Sequence, residues 1–329
     1  MPNPETILWV VMAAGTCIYS VTGGADFGVG IWEALNGRSF DKNSRGFIYG
    51  SMGPVWEANH VWLILVLVIM FSAFPPAFAG LARALWLPLM LILIALVFRG
   101  SAYGFRHASP DSGFSQGLWR FVFAGGSVAG ALLLGAGLGI VLTGIPGLDA
   151  RGEFTGNYIR GWMVPIAGWF GVMSVASCAF LSAAYFSRET HTDFWRRRTL
   201  NAGYLTLVMA VTTPWICRGI SPLYAGLMGN SFTMLAGSLV LGTISLSFSL
   251  ARRSSPAAWS GAGFIFLFVG ALLYSIYPAI IPPFLTVSAT KGPYGLLKAM
   301  VTALALGTLP LIAALVMLFR LFKSPRKQS

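Results

Sequence analysis

Residues 53–79 read GPVWEANHVWLILVLVIMFSAFPPAFA, and they set Glu57, Asn59 and His60 at the head of an almost unbroken apolar run. From Leu63 to Phe74 only Ser72 carries a polar side chain. About 20 mostly apolar residues are enough to cross a bilayer as a helix, so this stretch reads as a membrane span. A carboxylate, an amide and an imidazole at its start then need a chemical reason.

The same texture runs through the chain. Of 329 residues, 56% are hydrophobic and 10% charged, against about 25% charged in a soluble domain. The fold class is therefore an all-α integral membrane protein. Nine stretches are long enough to span: 7–33, 54–74, 77–98, 118–143, 162–186, 200–219, 230–250, 258–281 and 296–322. The longest connections, 99–117, 144–161 and 187–199, leave no room for a soluble domain. Residues 1–329 thus form a single polytopic membrane domain. The first eight spans divide around 144–161 into two four-helix groups, 7–143 and 162–281, with a ninth helix, 296–322, outside them. Met1 to Thr6 holds only Glu5 as a charge, so the first span lacks the basic lead of a signal peptide and is expected to stay in the mature protein.

A net charge of +12 invites a nucleic-acid reading, but the positions of the cations argue against it. With the N terminus outside, sixteen Lys and Arg residues fall on the cytoplasmic side and six on the other. That asymmetry is the positive-inside pattern of an N-out, C-in protein. The basic excess encodes orientation, and no nucleic-acid partner is expected. Cys17, Cys178 and Cys217 all fall inside spans, which speaks against a disulfide scaffold and a thiolate metal site.

Two acids lie well inside spans, Asp26 and Glu57. A charge at the bilayer centre costs about 2.5–3.5 kcal/mol on insertion scales, so such residues face a bundle interior or a wet cavity and mark ion or proton routes. The first span runs inward and the second outward. Each acid lies about ten residues from the basic connection between them, roughly 10–15 Å from its end of the helix. Glu57 and His60, three apart, share a helix face, and Asn59 beside them can donate and accept hydrogen bonds. Asp26, Glu57, Asn59 and His60 are the candidate proton route; the bland alternative is that they tie helices together. His107 and His191 fall in connections and leave His60 alone in a span. A bis-His haem therefore cannot form within the spans of this chain, and a pair of His60 with one of the twelve methionines stays open. No metal cluster, nucleotide loop or nucleophile–base set is apparent, and no catalytic residue is assigned. The glycines gathered inside spans serve close helix packing or leave room for a lipid or quinone tail.

TGGADFGVGI (22–31) together with GPVWEANHVWLILVLVIMFSAFPPAFA resembles subunit II of cytochrome bd-type quinol oxidases, whose first helix carries D-G-F-D-x-G-x-G and whose second carries G-P-x-W-[DE]-x-N-x-x-W-L. Arg99 and Gly100 in VFRGSAYGFRH (97–107) resemble the Phe-Arg stretch after the third helix, and YPAIIPP (277–283) its eighth helix end. The resemblance implies a heterodimer with a haem-bearing subunit I in the bacterial cytoplasmic membrane, with the haems in that partner. It allows a small single-helix accessory subunit, and a structural quinone or lipid in this chain. Subunit I oxidises quinol and reduces oxygen to water, while this subunit supports it and contributes to cytoplasmic proton uptake. Carried over by motif, Glu57 is the path carboxylate, Asp26 the second Asp of the first motif and Asn59 the motif amide. Trp56, Trp62, Gly28, Gly30 and Arg99 are motif packing positions. Gly23 stands where the family has its first Asp, Ala25 where it has Phe, Ala58 where it has Gly, and His60 where Glu or Gln is frequent. These departures point to a divergent branch, with the cyanide-insensitive type as one reading. From the residues alone, a proton-coupled secondary transporter and a purely structural anchor stay open as alternatives.

Overall fold

The computed structural model describes residues 3–36, 59–108, 114–159 and 161–323. Glu57 and Trp56, with Ala58 beside them, lie outside the described residues.

Helix α1 (Pro4–Asn36) forms the axis of the molecule. Proline is tolerated at its first position because that N–H would have no helical partner. The helix runs for about 50 Å. It packs against α5 (Phe114–Thr143), α6 (Pro165–Thr190) and α10 (Ser254–Ser275), and touches α12 (Tyr294–Lys323) at its flank. Two glycines set these approaches. A Cβ on Gly28 would overlap the Cys178 carbonyl and the Ser182 side chain of α6, and one on Gly30 would overlap Ser127 of α5. Small residues replace the hydrophobic effect as the means of close packing between helices in lipid.

The second predicted span appears as α2 (Asn59–Ala73), which then turns by 114° into α3 (Pro75–Ala84). Pro75 and Pro76 cannot donate to the turn before them, so the chain breaks at Phe74. The expected span 77–98 is therefore corrected. Residues up to Ala84 belong to α3, and the long apolar helix is α4 (Trp86–Ala108), which carries Arg99 inside a helix rather than in a connection.

The expected connection 187–199 is corrected as well. Helix α6 reaches Thr190 and α7 (Asp193–Ile216) begins at once, because His191 turns the chain with φ 52°. A 3₁₀ turn (Cys217–Gly219) and α8 (Ser221–Met228) lead to α9 (Phe232–Leu250), which is paired with α10. The expected span 258–281 ends six residues early, at Ser275. Three prolines at 278, 282 and 283 remove helix donors, and the chain forms a short hairpin of β1 (Ala279–Ile281) and β2 (Leu285–Thr286) before the single turn α11 (Val287–Thr290).

One core of aromatic and small side chains, including Phe27, Phe123, Phe180, Trp195 and Phe264, joins α1 to α5, α6, α7 and α10. A second, around Leu8, Trp9, Phe74 and Ile281, closes the Pro4 end of α1. Outward faces are apolar: Ile64, Leu67 and Phe71 on α2, and Met90, Leu93 and Val97 on α4, are exposed. Among the described residues seven helices are long and apolar enough to cross a membrane, and the bent α2–α3 pair brings the number to eight. The chain is a multi-pass, all-α membrane protein.

Candidate functional site

Asp26 lies ten residues before the end of α1 and is buried, 3% exposed. Arg99 of α4 meets it with its guanidinium: Nη2 donates to Asp26 Oδ1 and, at 3.2 Å, to the Asp26 backbone carbonyl. The other carboxylate oxygen, Oδ2, accepts from Nδ2 of Asn59 on α2 at 3.0 Å. Arg99 Nε donates to Ser127 Oγ of α5 at 2.9 Å, and Ser127 in turn donates to the Phe123 carbonyl at 2.8 Å. The rings of Phe27 and Phe123 lie 4.9 and 5.1 Å from the guanidinium carbon, within cation–π range. Four helices thus converge on one buried ion pair.

Local sequence explains the approach. Gly126 lets α5 close on α4 where a Cβ would crowd the Ala95 carbonyl and Arg99 Cβ. Gly30 makes room for Ser127, which receives Arg99. Both oxygens of Asp26 are occupied, but Asn59 Oδ1 is buried with no hydrogen-bond partner among the described residues. That orphan acceptor points to a donor that arrives with water or another chain.

The structure joins Asp26 to Asn59, and sets His60 half-buried on the next position of α2. Trp62 is half-buried one turn from Asn59, its carbonyl beside Gly15. Arg99 was expected as a packing residue; it is the charge partner of Asp26. Ser127 was not anticipated at all. A signal was present for both: an arginine directly following the ten-residue apolar run LMLILIALVF (89–98), and a serine set between Gly126 and Gly130.

A second polar level lies two turns further along α1. Glu33 is buried, and Arg120 of α5 reaches it at 3.4 Å while staying partly exposed. Beside it Trp32 donates its indole N–H to the Ala179 carbonyl at 2.9 Å, and Arg198 of α7 lies over the Phe194 ring at 3.4 Å. On the opposite side of Phe27, a cavity of about 210 Å³ opens between α1, α5, α6 and α10, lined mainly by apolar groups such as Phe170, Met173 and Phe268, with the hydroxyls of Thr16 and Ser20.

A family model described as cytochrome bd terminal oxidase subunit II matches residues 4–322. Over 221 residues the chain is 27% identical to cytochrome bd-I ubiquinol oxidase subunit 2 of Escherichia coli K12, a match covering 65% of this chain and 57% of that one. It is 30% identical over 144 residues to cytochrome bd ubiquinol oxidase subunit 2 of Bacillus subtilis, covering 44% and 41%. These matches span less than two thirds of either relative's length. A chain of the bd oxidase from Geobacillus thermodenitrificans has the same fold, with a TM-score of 0.81 at 22% identity, covering 97% of this chain and 98% of that one.

Proposed function

Because the chain belongs to the family of cytochrome bd terminal oxidase subunit II, we propose that it is the non-haem subunit of a respiratory quinol:oxygen oxidoreductase in a bacterial inner membrane. Its partner is a haem-bearing subunit I, and nine spans run N-out to C-in in two four-helix groups with α12 outside. A small accessory helix and membrane lipids complete the assembly. Family membership leaves the transporter alternative without support. The haems of the partner, when bound, supply the oxygen chemistry; the residues of this chain hold and move protons.

The single observation that carries the proton role is the Asp26–Arg99–Asn59 cluster. A carboxylate buried at a junction of four helices, with an amide on one oxygen and a guanidinium on the other, is placed for function by the general rule for intramembrane acids. A proton arriving at Oδ2 along α2, from the side where Glu57 precedes Asn59 in sequence, would neutralise Asp26. Arg99 would then keep Ser127, the Asp26 carbonyl and two ring faces. These contacts keep the guanidinium positioned when the acid is neutral, at the cost of a buried cation that has lost its counter-charge. Asn59 Oδ1, unsatisfied among the described residues, is the natural seat for the water that would carry the proton to the amide's side of Asp26.

The cavity beside Phe27 fits part of an apolar chain. An engineered cavity of about 150 Å³ admits benzene, so 210 Å³ takes a short stretch of prenyl or acyl chain rather than a whole quinone. Thr16, Ser20 and Ser177 spend their hydroxyls on the Met12, Thr16 and Met173 carbonyls, while Tyr19 and Ser174 also line the wall.

The test is the oxidase purified with its partner and reconstituted in vesicles. Quinol-driven oxygen uptake and haem spectra should accompany the pair, and charge separation per oxygen should fall in Asp26→Asn and Glu57→Gln while the haem spectrum holds. Unchanged charge separation in both would overturn the proton role.

A further inference from the structure

A second polar site lies far from Asp26, where the α6–α7 and α9–α10 turns meet. Ser187, His191, Asp193 and Arg196 from the first turn, with Ser249, Arg252 and Ser254 from the second, line a notch of about 60 Å³. Its charge does not cancel. The Asp193 carboxylate takes Arg196 at 2.8 Å and Arg252 at 3.6 Å, so two guanidinium groups face one carboxylate. Arg252 is largely exposed, with its side chain 72% accessible, and keeps donors for something outside the chain. Ser254 Oγ and His191 Nδ1 lie 3.0 Å apart and tie the two turns together.

Two further groups point to a ligand. Ser187 and Ser249 are 6% and 3% exposed, they line this notch, and neither hydroxyl has a hydrogen-bond partner among the described residues. Neither oxygen is among the fully buried polar atoms left without a partner, so both stay open to the notch, whereas Ser177 and Ser182 on the same helix as Ser187 spend their hydroxyls on a carbonyl one turn back. The notch therefore offers two unused hydroxyl donors, an underused guanidinium, and the N-terminal ends of α7 and α10, whose free N–H groups favour an anion.

Depth identifies the source. Helix α9 has 19 residues and is about 28 Å long, close to the roughly 30 Å hydrocarbon thickness. The turn that follows it sits at the headgroup level. Trp259 on α10 is exposed there with Arg188 stacked over its ring at 5.2 Å, an aromatic and a cation of the kind that mark a membrane interface.

We propose that this notch binds a phosphate group at the membrane surface, held by Arg252, Arg196 and the Ser187 and Ser249 hydroxyls, and supplied by a phospholipid headgroup. Free inorganic phosphate has the same chemistry, so the experiment separates the two. The protein, purified with its accompanying subunits in a phosphorus-free detergent, is examined by native mass spectrometry and phosphorus analysis. Wild type should retain a phospholipid through washing. Arg252→Gln should weaken retention by about tenfold, the scale of a hydrogen bond to a charged group, and Ser249→Ala by about threefold. Arg151→Gln, at the opposite ends of α5 and α6, should retain it fully. Ser249→Ala alters neither charge nor fold, so it keeps the test valid if Arg252→Gln loosens the turn. If lipid is absent from wild type but inorganic phosphate raises the melting temperature, and does so less in Ser249→Ala, the site stands with free phosphate as its ligand. Equal lipid retention in wild type and both variants, or no binding of either phosphate source, overturns the proposal.

Discussion

Asp26 of α1 and Arg99 of α4 form an ion pair whose side chains are only 5% and 3% exposed. Each charge is held by the other and by Asn59, Ser127 and the two flanking rings. Removing one partner of such a pair leaves an uncompensated buried charge, at about 3–5 kcal/mol. Arg99→Met should therefore lower the melting temperature of the purified complex sharply. The double variant Asp26→Leu, Arg99→Met removes both charges and should be more stable than Arg99→Met alone. A double-mutant cycle read by thermal unfolding checks this; simple additivity of the two single losses would contradict the coupling.

The amide beside the pair separates a relay from a tie. Asn59→Leu takes a donor from Asp26 Oδ2 and removes the orphan acceptor Oδ1. Stability should fall by about 1–3 kcal/mol, the cost of a buried polar group left short of a partner. If Asn59 also seats the relay water, charge separation per oxygen should fall more than the haem content does. Asn59→Asp, which keeps an acceptor but loses the donor, should retain more charge separation than Asn59→Leu. Vesicle voltage measurements with haem-normalised enzyme give the comparison.

Much of this architecture was legible in the sequence because membrane insertion imposes long apolar runs, and because buried acids are rare enough to stand out. Asp26 and Asn59 were found as candidates by that rarity, and they meet. What sequence could not supply was register between distant helices. Arg99 looked like the first residue of a connection because the proline break at 75–76 hid where α4 begins, nine residues later than composition suggests. Ser127 was invisible for a different reason: one hydroxyl among small residues on α5 looks like packing until Gly30 is seen beside it. The hairpin at 279–286 and the two-residue turn at 191–192 escaped because hydropathy reports burial in lipid, whereas proline placement and a left-handed His191 decide where helices stop.

Glycine positions give a sharper contrast than any charge. Gly30→Ala places a Cβ on Ser127, and Gly28→Ala one on the Cys178 carbonyl, so each should cost about 1–3 kcal/mol by overpacking and reduce recovery of folded protein. Gly125 and Gly137, inside α5, have nothing within 4 Å of the added carbon. Their alanine variants should be neutral or slightly stabilising, since alanine favours helix over glycine by about 1 kcal/mol. Melting curves of the four variants in one detergent test the pattern. Equal behaviour of all four would mean that α1 does not approach α5 and α6 this closely.

At the other end of α1, Lys291 Nζ donates to Glu5 Oε1 at 2.8 Å, and the Gly292 N–H donates to the Ala73 carbonyl at 2.8 Å. Together they fasten the segment before α12 onto α1 and α2. The ion pair looks strong by distance, but it is open on the lysine side, with Lys291 43% and Glu5 9% exposed, and water screening through the lysine holds it to about 1 kcal/mol, the upper end for exposed pairs. The backbone bond and Leu297, fully buried in the second core, carry most of the attachment instead. Lys291→Met should therefore change the melting temperature little, whereas Leu297→Ala should cost about 2–5 kcal/mol, as buried leucines do, and free α12 to protease. A large loss from Lys291→Met with a small one from Leu297→Ala would reverse this order and assign the attachment of the last helix to charge rather than packing.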